Sequence, residues 1–457
     1  MNPYNIVWIV IDALRRDVLE HMQFLSKFSA RCVVLEDAYS VTNTTDPSLT
    51  SMLSGLYPLT HGVVQHGERV EPRHLACVGA VDFIQKILKK LGYATAAVDY
   101  LGRWHRIGFD IYASPIRRVE KRTAVSTIKK LLPKRVKMLI RRVVPARTRL
   151  GLPYLAEDAT ELAMKIIGEL EGKRFFLLVH YWDTHIPYRF SECVEHGCSF
   201  ECPHAIDARY RVRDLSRWVR GEWVKKLVDT FGEATLLNAI CSAYMYSAAL
   251  VDREIEKLVS FLEQRKLLDN TIMIVTSDHG ESLGEHGIWF DHHGLYEPSV
   301  RVPLLLHIPG MDHRRVSGFA QHVDLVPTIL SVLGVKHPRP ETLDGEDLTA
   351  AIEVGSTNRS LVYAEEAYTE RKFMLREGRY KYIYSPTPEA ALCRYCNTVH
   401  GGIEELYDMD RDPLELNNIA DQQPDIAREM RKKLEAMTRD MVRKRVRIKL
   451  LSTHAKR

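Results

Sequence analysis

Residues 271–281 read TIMIVTSDHGE, an apolar run from Thr271 to Val275 that passes through two hydroxyls into an acid, an imidazole, a glycine and a second acid. An unbroken apolar run, rather than an alternating one, is what a strand covered on both faces requires, so it predicts a buried parallel strand. The polar residues at its carboxyl end fall where open α/β sheets bind ligands. The same texture recurs outward from this stretch at Ile6–Ile11, Ala94–Val98, Phe175–Val179 and Val302–Ile308. Helical patterns over Val81–Leu91, Leu155–Leu170 and Asn238–Leu267 lie between these runs. Strands alternating with helices predict an α/β fold with a mainly parallel central sheet flanked by helices. Asp12, the string His180 to His185, and Ser277 to Glu281 would then converge on one sheet edge.

After about residue 360 the segments shorten to SLVYAEEAY, KFMLREG and RYKYIYSP, followed by a charged, helix-friendly stretch from Pro424 to Arg447. The expected division is an α/β domain over 1–360, with a basic insertion at about 115–150, and a smaller C-terminal α+β subdomain over 361–457. That subdomain would hold a small antiparallel sheet and a terminal helix, with LLSTHAKR frayed.

A chain of 457 residues with 45% hydrophobic and 27% charged residues can bury a large core, which excludes a disordered protein. Its net charge of +5 is mild, yet Arg117–Arg149 carries Glu120 as its only acid. Apolar positions such as Ile128, Leu131 and Leu139 between those charges fit a basic amphipathic helix. It is either a solvated insertion packed on the main domain or a peripheral contact for anionic membrane or a polyanion. No nucleic-acid-binding module accompanies it, so nucleic acid is not an expected partner. The N-terminus shows no basic leader or cleavage site, and no run reaches the ~20 apolar residues of a spanning helix, so the expected location is cytoplasmic. Among eight cysteines, Cys193, Cys198, Cys202, Cys393 and Cys396 form two groups that could make a structural zinc site, disulfides, or nothing shared; reduced thiols are the simpler expectation.

A hard divalent cation needs carboxylate oxygens, sometimes with an imidazole, held by strand ends or short loops. Asp12, Asp278 and His279 meet that need. TNTTDPSLTSMLSGLYPLTHG, residues 42–62, has the form of a loop entering a helix, with Pro47 in the first turn and hydroxyls just before it. Its free N–H groups would hold a sulfate or phosphate group while a hydroxyl attacks. The plainer alternative is that Thr44, Thr45 or Asp46 only caps the helix.

VWIVIDALRRD, DPSLTSMLSGLYPLTHGV, HYWDTHIPY, TSDHGESLGEHG, HHGLYEPSVRVPLLLHIPG, HVDLVPTIL and ELYDMDRDPLELNNIA resemble, in order, successive motifs of the sulfatase family in the alkaline-phosphatase superfamily. The resemblance implies one divalent metal ion (calcium, manganese or zinc) on Asp12, Asp278 and His279. Two departures stand out. Ile11 replaces an acid common before Asp12, and Thr45-Asp46-Pro47-Ser48-Leu49 replaces the Cys or Ser, any residue, Pro-Ser-Arg pattern whose first residue becomes formylglycine. Threonine is no formylglycine precursor. It is, however, the nucleophile in related phosphodiesterases and phosphoglycerol transferases, which implies Thr45 as nucleophile and metal neighbour. His185 resembles the family's histidine near the scissile oxygen, and GRWHRIG would put Arg103 and His105 on the anion. His292 or His293 stands at an active-site lysine position, leaving open which one faces the site. Asn43, Thr44 and His293 complete the expected substrate contacts. The implied function is metal-dependent hydrolysis of sulfate, phosphate or phosphonate esters through a threonine ester, phosphorus being favoured. The alternatives are a phosphoryl or phosphoglycerol transferase, or a non-catalytic anion- or membrane-binding protein on the same scaffold.

Overall fold

The structure, a computed structural model, describes residues 4–115, 154–200, 232–395 and 397–454. The basic stretch 117–149, Cys202 and Cys396 lie outside the described residues. Among the described residues up to 321 the strands are β1 (Asn5–Ile11), β2 (Val33–Tyr39), β3 (Ala94–Val98), β4 (Ile111–Ala113), β5 (Phe175–Tyr181), β6 (Thr271–Ser277), β7 (Ser282–Leu283), β8 (Trp289–Asp291), β9 (Leu304–His307) and β10 (Arg314–Gln321). Eight of them form one sheet in the order β10-β2-β9-β6-β1-β5-β3-β4, and β7 pairs with β8 apart from it. Successive side chains of a strand point to opposite faces, so β1 must be apolar throughout to be covered twice. Val7, Ile9 and Ile11 join a core with helices Ala156–Glu169 and Glu233–Gln264. Ile6, Trp8 and Val10 join another with helices Thr45–Ser54, Ile84–Lys90 and Leu325–Val332.

β9 is antiparallel to both neighbours, β2 and β6, while the other pairings in this sheet are parallel. The cause is the connection. A parallel return needs a crossover to the far end of the sheet, whereas the chain leaving β6 stays at the edge where β6 ends and re-enters from there. Residues 278–303 are thereby held over that one edge. An apolar run carries no information on direction, so Val302–Ile308 could announce a buried strand but not its sense. β2 and β10 went unanticipated because charges interrupt them: Glu36 and Asp37 pair with Arg315 and Arg301.

The C-terminal sheet is antiparallel in chain order, β11 (Leu361–Glu366), β12 (Lys372–Glu377), β13 (Tyr380–Tyr384) and β14 (Glu404–Asp408). One face, with Tyr363, Leu375, Tyr382 and Leu406, packs on Ala427, Met430 and Leu434 of helix Pro424–His454. The other, with Val362, Ala364, Met374 and Ile383, packs on Leu295, Tyr296 and Val300 of the large domain. The helix continues through Leu450–His454, where fraying was expected, after burying Ile448 in the main core.

The cysteines do not gather as one zinc site among the described residues. Cys193, on helix Phe190–His196, is buried in the core under β5 beside Cys198, whereas Cys393 lies with His293 and His400. Cys241 is disulfide-bonded, a departure from the all-thiol expectation. Among the described residues, no helix is long and apolar enough to cross a membrane.

Candidate active site

β1 and β6 are in register from Asn5↔Thr271 to Ile11↔Ser277, so Asp12 and Asp278 leave adjacent strands at the same height. The backbone then fixes them. Ala13 N and His279 N both donate to Asp278 Oδ1, at 3.0 and 2.9 Å, which turns Oδ2 away from the strands. Asp12 N donates to Tyr181 O at 2.8 Å, and Thr184 Oγ1 donates to Asp12 O at 2.5 Å. Gly280 is required where it stands, because a Cβ there would lie 1.9 Å from Pro298 O. Its absence lets the DHG turn pass under the chain entering β9.

Thr45 opens helix Thr45–Ser54, and its Oγ1 lies 3.5 Å from Asp12 Oδ2 and 3.4 Å from His279 Nε2. His279 Nε2 is 3.4 Å from Asp278 Oδ2 and 3.9 Å from Asp12 Oδ1. A further imidazole enters from β5, with His180 Nε2 at 3.6 Å from Asp12 Oδ2. These spacings are long for hydrogen bonds and suit donors that share a cation. Asp12 Oδ1, Asp278 Oδ2 and His180 Nε2 are fully buried and have no hydrogen-bond partner, and the three residues form one cluster whose ligand-type atoms lie within 4.8 Å of one another. Burial, then the charges of Asp278, Glu281 and Asp99, push the Asp12 carboxyl well above the usual carboxylate range. Burial likewise pushes His279 down to about 3. A folded chain keeps such unpaired buried acceptors at a cost of ~1–3 kcal/mol each unless something fills the gap. The donor set of carboxylates, imidazoles and a hydroxyl fits a divalent metal ion.

His180 was the ligand-type residue that sequence reasoning passed over. Its signal was register: it faces Val10 on β1, one step before the strand end. Its Nδ1 meets Asp99 Oδ1 at 3.0 Å, a carboxylate–imidazole link of the kind that orients metal-binding histidines.

His292 and His293 part company. His292 Nδ1 donates to Asn43 O at 2.5 Å, and its ring centre lies 4.3 Å from that of His279 and 5.7 Å from that of His185. Burial lowers both His292 and His185, and each has Nδ1–H committed to a carbonyl. His293 turns instead towards His400, away from the expected substrate contact.

Arg103 and His105 reach the helix mouth, but through Asp46. Arg103 Nη2 donates to Asp46 Oδ1 and Oδ2 at 2.6 and 2.8 Å, and His66 Nδ1 lies 3.1 Å from Oδ2. His105 Nε2 is 3.8 Å from Oδ1. Burial works against this carboxylate, yet the His66 hydrogen bond with the His105 and Arg103 charges holds it well below the usual range. Asp46 is thus more than a helix cap, and Arg103 is already paired with an internal anion rather than open to a substrate's. Nor does Thr44 cap: no side-chain cap bond forms, and its hydroxyl meets Thr42 at 3.4 Å. Asn43 Nδ2 donates to Gly294 O at 3.1 Å, while its buried Oδ1 has no partner.

The sulfatase family profile matches residues 4–335, and a profile described as the C-terminal region of N-sulphoglucosamine sulphohydrolase matches residues 284–440. Choline-sulfatase of Rhizobium meliloti is 32% identical over 183 residues, 39% of this chain and 33% of that protein. Arylsulfatase K of Bos taurus is 24% identical over 452 residues, 91% of this chain and 77% of that protein. The phosphonate monoester hydrolase of Agrobacterium radiobacter has the same fold, with a TM-score of 0.66 at 18% identity over 96% of each chain. With the profile spanning most of its length, and the Asp278–His279 pair, the Thr45 hydroxyl and Asp12 lying side by side, this chain belongs to the sulfatase family of the alkaline-phosphatase superfamily.

Proposed function

We propose that this chain is a metal-dependent hydrolase of monoanionic esters, with Thr45 as nucleophile and phosphonate monoesters or phosphodiesters favoured over sulfate esters. The observation that carries the reading is the trio of unpartnered buried atoms, Asp12 Oδ1, His180 Nε2 and Asp278 Oδ2, in the cluster beside the Thr45 hydroxyl. Held by Asp12, His180, Asp278 and His279, a divalent ion (calcium, manganese or zinc) would lower the pKa of a neighbouring hydroxyl and offset charge on the transferred group.

The protein's own groups supply the rest. Thr45 Oγ attacks phosphorus or sulfur, forming a threonine ester as the bond to the leaving oxygen breaks. Its proton passes to the neutral imidazole pair His185–His292, which hands it to the departing alkoxide. Water then attacks the same phosphorus or sulfur, its proton takes the same route in reverse, and Thr45 is regenerated. A formylglycine adduct can expel sulfate by reforming an aldehyde, whereas a threonine ester needs this second displacement, which is better precedented at phosphorus. That is the reason for favouring phosphorus. The preference for a single negative charge rests on Asp46: with Arg103 bound to it, the mouth holds less positive charge for a dianion.

The test is a panel of p-nitrophenyl sulfate, phosphate, phenylphosphonate and bis-p-nitrophenyl phosphate with each metal, followed by mass spectrometry of the quenched enzyme. Turnover of the diester and phosphonate above the phosphate monoester, with a matching adduct on Thr45, is expected. An adduct elsewhere, or no turnover under any metal, overturns the reading.

A further inference from the structure

His293, Cys393 and His400 come from distant parts of the chain, yet all three are buried and their ligand atoms lie within 4.8 Å of one another. The acceptors beside their Nδ1 atoms bear on what the two imidazoles offer. His293 Nδ1 faces Asp291 Oδ1 at 3.5 Å, and His400 Nδ1 faces the carbonyl oxygen of His286 at 3.3 Å. Both neighbours are acceptors, which favours a proton on each Nδ1, and whenever a ring is neutral its Nε2 presents a lone pair; Asp291 at the same time raises His293. The two Nε2 atoms point at one another across 3.3 Å. With both rings neutral in these tautomers the two lone pairs would repel, and a cation between them turns repulsion into coordination. The distance itself is informative: nitrogens bound about 2.0–2.1 Å from a tetrahedral zinc stand roughly 3.3–3.4 Å apart. Imidazoles backed by a carboxylate or a carbonyl at the other nitrogen are the usual support of metal-bound histidines.

We propose that His293, Cys393 and His400 bind a zinc-class divalent ion, separate from the Asp12 centre. The thiolate selects a borderline-soft ion over calcium or magnesium, which suits a structural role. Cys393 and His400 lie on the loop between β13 and β14, closed by Cys393 N donating to Thr398 O at 2.8 Å and by Lys372 Nζ donating to His400 O at 2.6 Å. His293 directly follows His292. An ion here fastens the C-terminal sheet to the wall of the cleft and fixes the backbone carrying His292. The rival arrangement is a metal-free pair in which a protonated His293 donates to His400.

The test uses the full chain and a readout independent of ester turnover. Metal analysis of protein purified without chelator is expected to give about one zinc per chain that wild type holds, Asp278→Asn retains, and Cys393→Ser and His400→Gln lose, beyond any zinc at the Asp12 centre. Cobalt reconstitution is expected to give near-ultraviolet thiolate-to-cobalt absorption in wild type and Asp278→Asn, absent from Cys393→Ser. Wild type that binds neither ion there, or a cobalt band that survives Cys393→Ser, overturns the proposal. The wild-type arm decides even if a variant fails to fold, and an enzyme inactive on every ester would leave the zinc result standing.

Discussion

Two buried polar clusters in this molecule have opposite balance. At the interface of the C-terminal sheet, Lys381 Nζ sits between Glu297 and Glu415, at 3.0 and 2.7 Å, and Lys372 Nζ lies 3.1 Å from Glu405. Under the helix mouth, neither Asp12 nor Asp278 forms an ion pair with a Lys or Arg among the described residues, and both keep an unpartnered oxygen. The first cluster supplies its own cations, Lys372 and Lys381, as a structural network requires, although Glu370, 3.6 Å from Lys372, keeps both oxygens without a hydrogen-bond partner. The second is completed only by something from outside. Buried charge alone therefore does not mark a functional site; buried charge left unbalanced does.

The sharpest way to break that contrast is at the nucleophile. Thr45→Ala should lower kcat by at least about 10⁴-fold while leaving the thermal transition in place, as measured by steady-state kinetics and calorimetry. Substantial residual turnover would mean that the unbalanced cluster serves another purpose. At the balanced cluster the effect should fall on stability instead. Lys381→Ala strands Glu415 without its cation, leaves Glu297 to Arg376, and should cost about 3–5 kcal/mol in chemical denaturation. A smaller change sharpens the reading of Asp46. Asp46→Asn frees the Arg103 guanidinium for a second substrate charge and should raise kcat/KM for p-nitrophenyl phosphate relative to the diester by about tenfold, roughly 1.4 kcal/mol. An unchanged ratio would remove the charge argument. Least of all should follow from Arg265→Ala, which breaks an exposed pair with Glu171 at 2.6 Å; a change under about 1 kcal/mol is expected.

Much of the scaffold was legible in the chain because its signals are local. Ala94–Val98 was delimited by its apolar run alone, and Thr271–Val275 fell inside β6. Asp12, Asp278 and His279 stood out as candidate ligands because ligand-type residues at the end of a buried strand have few packing roles. His180 was harder: within HYWDTHIPY it is the last inward residue of a strand, and only the pairing of β5 with β1 reveals that it faces the cluster. The pairing of Arg103 was not legible because a guanidinium near an anion site looks available until its partner is known, and that partner, Asp46, lies 57 residues away in the chain.

Composition and periodicity by themselves determined an α/β sheet, a smaller antiparallel appendage, and an acid–imidazole pair at a strand end, since each depends on residues within a few positions of one another. Folding decided the rest: the reversed direction of β9, the parting of His292 from His293, the claim of Asp46 on Arg103, and the meeting of His293 with Cys393 and His400. Each of those depends on which atoms approach within about 4 Å across tens to hundreds of residues, where Coulomb and hydrogen-bond energies become decisive.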